Sequence, residues 1–250
     1  MTPPDNSPGD PPKPFLQHLE ELRRVLIGSL VSLLAGMCAA LPLAPRIFRL
    51  LQIPLEKATG KAEPFLRTLE VTGGISLAMS LVFWTGLLFS LPAIVYFLST
   101  FIAPGLTGRE RRLIGWALAV AAGLFIFGVL LGYFISLPIA LTVMLQVNSW
   151  LGLRAEWVVS SYVVFALQML AAFGIVFELP VAVVLLGHLR IITSTQLRTQ
   201  RRLMIVLIMI LAAVMTPPDV FSQLIMGIPL IVLYEICILL IAVLEKRRQL

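Results

Sequence analysis

The side chains of this 250-residue chain that can do chemistry are few, and the informative ones are carboxylates. Glu178 follows a run of twenty residues, 158–177, that holds no charge, and Pro180 stands two positions further on. A carboxylate inside an apolar span costs roughly 2.5–3.5 kcal/mol on insertion scales. Pro180 adds to this, because it donates no backbone hydrogen bond to the carbonyl of Val176. Two adjacent costs in one helix mark a place that another group satisfies. Either Glu178 snorkels to the nearer interface, or it faces protein or water. Its neighbours one turn back, Ala171, Gly174 and Ile175, are mostly small enough to admit another helix.

Two further acids, Glu21 and Glu110, sit in basic surroundings, beside Arg23 and Arg24 in one case and Arg109, Arg111 and Arg112 in the other. They pair with those arginines as solvated ion pairs worth ~0–1 kcal/mol, or together they receive a cationic ligand. Catalysis finds little support. The two histidines, His18 and His188, fall at span boundaries, and the chain has no phosphate-cradling GxxxxGK[ST], no GxSxG and no HExxH. Cys38 and Cys237 lie in apolar runs without metal-ligand spacing and read as packing residues. No cofactor, metal or enzymatic activity is expected, so any energy comes from a partner or from the membrane potential.

The elements that must position these acids are membrane spans. The chain is 59% hydrophobic and 13% charged, with a mean hydropathy of +0.97. A soluble domain carries about a quarter charged residues. Residues 1–14, with six prolines, predict a disordered cytosolic tail, and residues 15–250 a single membrane domain. An amphipathic stripe, Phe15, Leu16, Leu19, Leu22 and Leu26, predicts a short interfacial helix feeding a first span over 25–45. Residues 46–70 read as a connecting segment. Uncharged runs follow at 71–108, kinked at Pro92 and ended at Pro104-Gly105, and at 113–153, with Pro138 inside. The fourth span covers about 158–186 and carries Glu178. The fifth, 203–216, is about 21 Å long as a helix against ~30 Å of hydrocarbon. The sixth is short as well, 220–234, interrupted by Glu235. Asp219 is expected at its start.

Six spans with the N-terminus inside place Lys13, Arg23 and Arg24, Arg109, Arg111 and Arg112, Arg190, Arg198, Arg201 and Arg202, and Lys246, Arg247 and Arg248 on one side. That is thirteen of the nineteen lysines and arginines. Both termini are therefore expected in the cytoplasm. The net charge of +6 is read as this loop bias and not as a nucleic-acid surface.

In order along the chain stand His18-Leu19-Glu20-Glu21-Leu22-Arg23-Arg24, Phe101-Ile102-Ala103-Pro104-Gly105-Leu106 with Glu110, Phe177-Glu178-Leu179-Pro180, Thr216-Pro217-Pro218-Asp219, and Pro229 with Leu233-Tyr234-Glu235. This set, from about Phe15 to Arg248, resembles the TatC family, the receptor subunit of the twin-arginine protein translocase. The resemblance implies an all-α membrane protein of the bacterial inner membrane, a curved, glove-like bundle of six helices with short fifth and sixth members. It implies a receptor and scaffold that binds twin-arginine signal peptides of folded cargo with TatB. It also implies recruitment of TatA for export driven by the proton-motive force, within a multimeric complex of single-span partners. The arginine-reading acids fall on Glu21 and Glu110, and the intramembrane acid on Glu178. Thr216 and Gln223 match a polar patch for partner helices, with Ala213 an apolar departure from it. The competing reading is a proton-coupled small-solute transporter using Glu178. That reading needs internal repeats and several intramembrane polar groups, and the spans offer no repeat and only scattered candidates such as Gln168 and Gln223.

Overall fold

The computed structural model describes residues 15–59, 66–102, 108–153, 155–188, 191–216 and 220–249. The predicted tail, Pro104-Gly105 and Asp219 lie outside the described residues. The helices are α1 (Phe15–Thr59), α2 (Gly73–Ile102), α3 (Gly108–Leu131), α4 (Leu137–Trp150), α5 (Val159–His188), α6 (Ser194–Thr199), α7 (Arg201–Met215) and α8 (Val220–Gln249). A π-helical turn, Gly132–Ser136, joins α3 to α4. Two-residue strands β1 (Leu66–Arg67) and β2 (Trp157–Val158) pair in parallel, and Arg67 meets Glu156 at 3.3 Å beside them.

The axis of the bundle is α5. Val163, Leu167, Phe173, Val176 and Phe177 along it are at most 2% exposed. Between helices in lipid there is no hydrophobic driving force, so close approach of backbones and good packing must hold them. The α1–α2 pair shows how: Gly36 sits against the carbonyl oxygen of Gly86, and a Cβ on Gly86 would stand 2.7 Å from the backbone nitrogen of Met37. Across α3 and α5, the rings of Phe127 and Phe177 lie 5.7 Å apart. Gly28–Phe97 with Gly36–Gly86 make α1 and α2 antiparallel, Phe125–Gly174 with Gly132–Leu170 do the same for α3 and α5, and Arg201–Glu235 with Met209–Gln223 for α7 and α8. Pro180–Cys237 and Gly187–Ile241 set α5 and α8 parallel. Leu50–Tyr133 and Leu51–Tyr162 join the late part of α1 to the end of α3 and the start of α5, so α1, α3 and α7 run one way and α2, α5 and α8 the other.

Five helical stretches are long and apolar enough to cross a membrane: Leu19–Thr59, Gly73–Leu98, Leu118–Trp150, Val159–His188 and Val220–Lys246. With the fifteen-residue α7, about 22 Å long, they account for the six expected spans.

Four local expectations are corrected. Residues 46–59 are not a connection but the last part of α1, which runs unbroken through Pro42, Pro45 and Pro54. At Pro54 the bundle supplies the donor that proline removes. Pro54 leaves the carbonyl of Leu50 without its i+4 N–H, and the Tyr133 hydroxyl donates to that carbonyl at 2.7 Å. The next carbonyl, Leu51, accepts from the Tyr162 hydroxyl. The third run is broken by the π turn, where the Leu137 N–H reaches back to the Gly132 carbonyl. The extra residue lets Pro138 begin a fresh helix, α4, at a position that needs no donor. The sixth helix is not short: α8 spans thirty residues because Glu235, expected to interrupt it, meets Arg201 at 2.8 Å. Finally, the loop after α5 contains α6, set by a capping box in which Thr193 Oγ1 accepts from Gln196 N and Gln196 Oε1 accepts from Thr193 N.

Candidate functional site

Because α1 and α3 run in the same direction, Glu21 and Glu110 stand at the same end of the bundle. Glu21 is in the second turn of α1 and Glu110 in the first turn of α3. Glu21 is half-buried, and its Oε2 is enclosed. Arg23 and Arg24 beside it are exposed. The side chain of Glu110 lies outside the described residues, as do those of Arg111, Arg112 and His18. His188 is the last residue of α5, at this same end.

The same end is organised by α8. Glu245 receives the Ser194 N–H at 3.0 Å and the Ser194 hydroxyl. The Tyr234 hydroxyl donates to the Leu197 carbonyl at 2.9 Å. With the Arg201–Glu235 pair, these bonds strap α6 and the start of α7 onto α8. Sequence reasoning missed the strap. Its signal was a tyrosine and a glutamate embedded in one apolar helix, both of which need polar partners there.

Glu178 lies ten residues before the last residue of α5, about 15 Å along the helix. Both of its carboxylate oxygens are enclosed and have no hydrogen-bond partner among the described residues. Its oxygens are covered by protein, while the residue as a whole is only partly buried. The small residues one turn back are filled from within the chain, Ala171 being buried and Gly174 packed against the Phe125 ring of α3. Ile175, by contrast, is 44% exposed. Pro180, two positions on, contributes its carbonyl as acceptor for Cys237 Sγ of α8 at 3.4 Å. Both cysteines are unbridged, Cys237 buried and Cys38 exposed.

Thr216 and Gln223 both bond to carbonyls of α7, within the α7–α8 hairpin. Thr216 is buried and donates to the Ala212 carbonyl at 2.8 Å. Gln223 donates to the Met209 carbonyl at 3.1 Å, tying α8 to α7. The opposite face of α7 is an uncovered apolar stripe, Leu203, Val206, Leu207, Ile210 and Val214. The described residues contain no group of three or more potential metal ligands. What the geometry offers is therefore recognition: carboxylates at one end, one enclosed acid within the spans, and an apolar helix face.

The family described as Sec-independent protein translocase protein (TatC) matches residues 17–229. The chain is 37% identical over 235 residues to the Sec-independent protein translocase protein TatC of Deinococcus radiodurans, covering 91% of this chain and 85% of that protein. It is 42% identical over 172 residues to the protein of the same name from Akkermansia muciniphila, covering 68% of this chain and about half, 49%, of that longer relative. A crystal structure of the twin arginine translocase receptor TatC superposes with a TM-score of 0.75 at 35% identity, over 90% of this chain and 98% of that one. The transporter reading is thereby disfavoured. The chain belongs to the TatC family of Sec-independent protein translocase proteins.

Proposed function

We propose that the chain is the signal-peptide receptor and scaffold subunit of a twin-arginine translocase, and that Glu21 and Glu110 read the two arginines. The observation that supports this most is the placement of both acids at one end of the bundle, near the starts of two helices that run the same way. A carboxylate accepts two parallel N–H bonds from the planar guanidinium fork, whereas a lysine offers only a point charge. Two such carboxylates therefore prefer consecutive arginines. Each charge-assisted bond contributes about 1.5–3 kcal/mol, and micromolar binding needs about 8 kcal/mol. The apolar part of the signal must then contribute as well, and we assign Glu178 the polar contact with the inserted helix.

In this reading the protein binds and assembles, and performs no catalysis. Its partners are TatB-like and TatA-like single-span proteins in the bacterial inner membrane, with both termini of this chain in the cytoplasm. The uncovered α7 stripe forms the surface for a partner helix, and Thr216 and Gln223, bonded inside the α7–α8 hairpin, hold α7 in place behind it. Purification of the intact protein from its membrane in mild detergent tests the assignment. Two small single-span proteins and twin-arginine precursors are expected to accompany it. Recovery of the chain alone, under conditions that preserve its fold, counts against it.

A further inference from the structure

Beside the C-terminal part of α1 lies a cavity of about 410 Å³ bounded by α1, α2, α3, the π turn and α5. Its wall includes Leu51, Thr85, Phe89, Leu130, Tyr133 and Leu170. The one hydroxyl on it that lacks a hydrogen-bond partner among the described residues is that of Thr85, which is 3% exposed. Phe89 and Leu130, about half exposed, form an open rim. The cavity adjoins a second one of about 220 Å³, with which it shares Leu50, Tyr133 and Phe134. That second cavity reaches Lys57 in the last turn of α1. Lys57 is exposed and makes no ion pair among the described residues.

The shape and chemistry select the occupant. Water is disfavoured, because a held water needs 2–4 polar partners and Thr85 is the one donor the wall leaves unused. A helix is too wide: at ~10–12 Å across, less than one turn would fit the volume. A linear hydrocarbon chain fits. With a methylene taking about the space of a water, ~30 Å³, the larger cavity of about 410 Å³ holds about a dozen carbons. Lys57 then stands where the chain emerges, a cation suited to a phosphate.

We propose that the two cavities form a binding site for one anionic phospholipid of the leaflet at the C-terminal end of α1. One acyl chain lies in the larger cavity and the phosphate meets Lys57. The site uses neither Glu21 nor Glu110, so it stands or falls apart from signal reading.

The test is native mass spectrometry of the full-length protein, delipidated and then titrated with phosphatidylglycerol or phosphatidylcholine. A companion experiment uses phosphatidylglycerol bearing a diazirine at the acyl terminus. One phosphatidylglycerol is expected to survive at a stoichiometry of one, with photolabel on the peptides holding Thr85 and Leu170. Lys57→Gln is expected to lower its retention by about fivefold, the effect of one surface cation on an anionic lipid, with no such change for phosphatidylcholine. Leu130→Trp, which fills the rim, is expected to remove both. If that variant fails to fold, the photolabel on the native chain decides. Label spread evenly over the bundle exterior overturns the proposal. So does equal retention of the two lipids, insensitivity to Lys57→Gln, or an apolar peptide that labels Thr85 and resists displacement by phosphatidylglycerol.

Discussion

Pro54 makes a sharp energetic test, because one removed donor and its replacement are both identified. Pro54 is fully buried within α1, and the carbonyl it orphans, Leu50, accepts from Tyr133 at 2.7 Å. Tyr133→Phe removes that donor and little else. The expected cost is about 0.5–1.5 kcal/mol for the bond, rising to about 1–3 kcal/mol if the carbonyl finds no other partner. Pro54→Ala restores the backbone N–H that normally serves this carbonyl. It also opens a small void where the ring stood, so its own effect on stability has no fixed sign. In the Pro54→Ala background, however, Tyr133→Phe is expected to cost close to nothing. The double-mutant cycle thus yields a coupling of about 1 kcal/mol, read by equilibrium unfolding in mixed micelles with helicity as the signal. If the two effects add to within about 0.3–0.5 kcal/mol, the usual scatter for independent sites, the hydroxyl is not replacing the missing amide and the explanation of the unbroken α1 is wrong.

Other expectations are simpler. Glu178→Leu removes an enclosed carboxylate without a partner among the described residues and is expected to raise stability by about 1–3 kcal/mol in thermal unfolding, while weakening cross-linking to an inserted signal helix. Destabilisation would mean the carboxylate is paired. Ser194→Ala removes the hydroxyl bond to Glu245 and leaves the backbone N–H bond in place, and hydrogen exchange of the α6 amides is expected to speed up by about tenfold or more, one charge-assisted bond's worth, with α5 unaffected. Gly86→Leu drives a side chain into the backbone of Met37. It is expected to cost upwards of about 1–3 kcal/mol, seen as loss of folded protein in detergent, whereas Gly115→Ala, with open space around it, is expected to be silent.

The sequence was most legible where one physical signal dominates. Long apolar runs located α2 within 71–108 and placed α5, expected over about 158–186, from Val159 to His188. The fifth helix came out short, as its fourteen-residue run implied. Legibility failed where a distant side chain overrides a local rule. Pro54 argues locally for a break, and only Tyr133, 83 positions away, makes the helix continue. Glu235 argues for an end to the sixth helix, and only Arg201 answers it. The π turn has no sequence signature beyond Pro138, since it depends on where α3 and α4 must both pack. At the candidate site, the types and order of Glu21, Glu110 and Glu178 were readable. Periodicity alone says nothing of Glu178's enclosure, which arises from tertiary packing. Nor does it say that Thr216 and Gln223 spend hydrogen bonds within the α7–α8 hairpin.

The most direct test of the central claim is the affinity of the purified protein for a fluorescent twin-arginine signal peptide, beside the same peptide with two lysines. Native protein is expected to prefer the arginine pair. Glu21→Ala and Glu110→Ala are each expected to weaken its binding by about tenfold or more, the value of one charge-assisted bond, with the unfolding curve and membrane insertion unchanged. Equal binding of the two peptides, or native affinity retained in the folded double variant, would contradict the assignment of Glu21 and Glu110 as the arginine-reading pair.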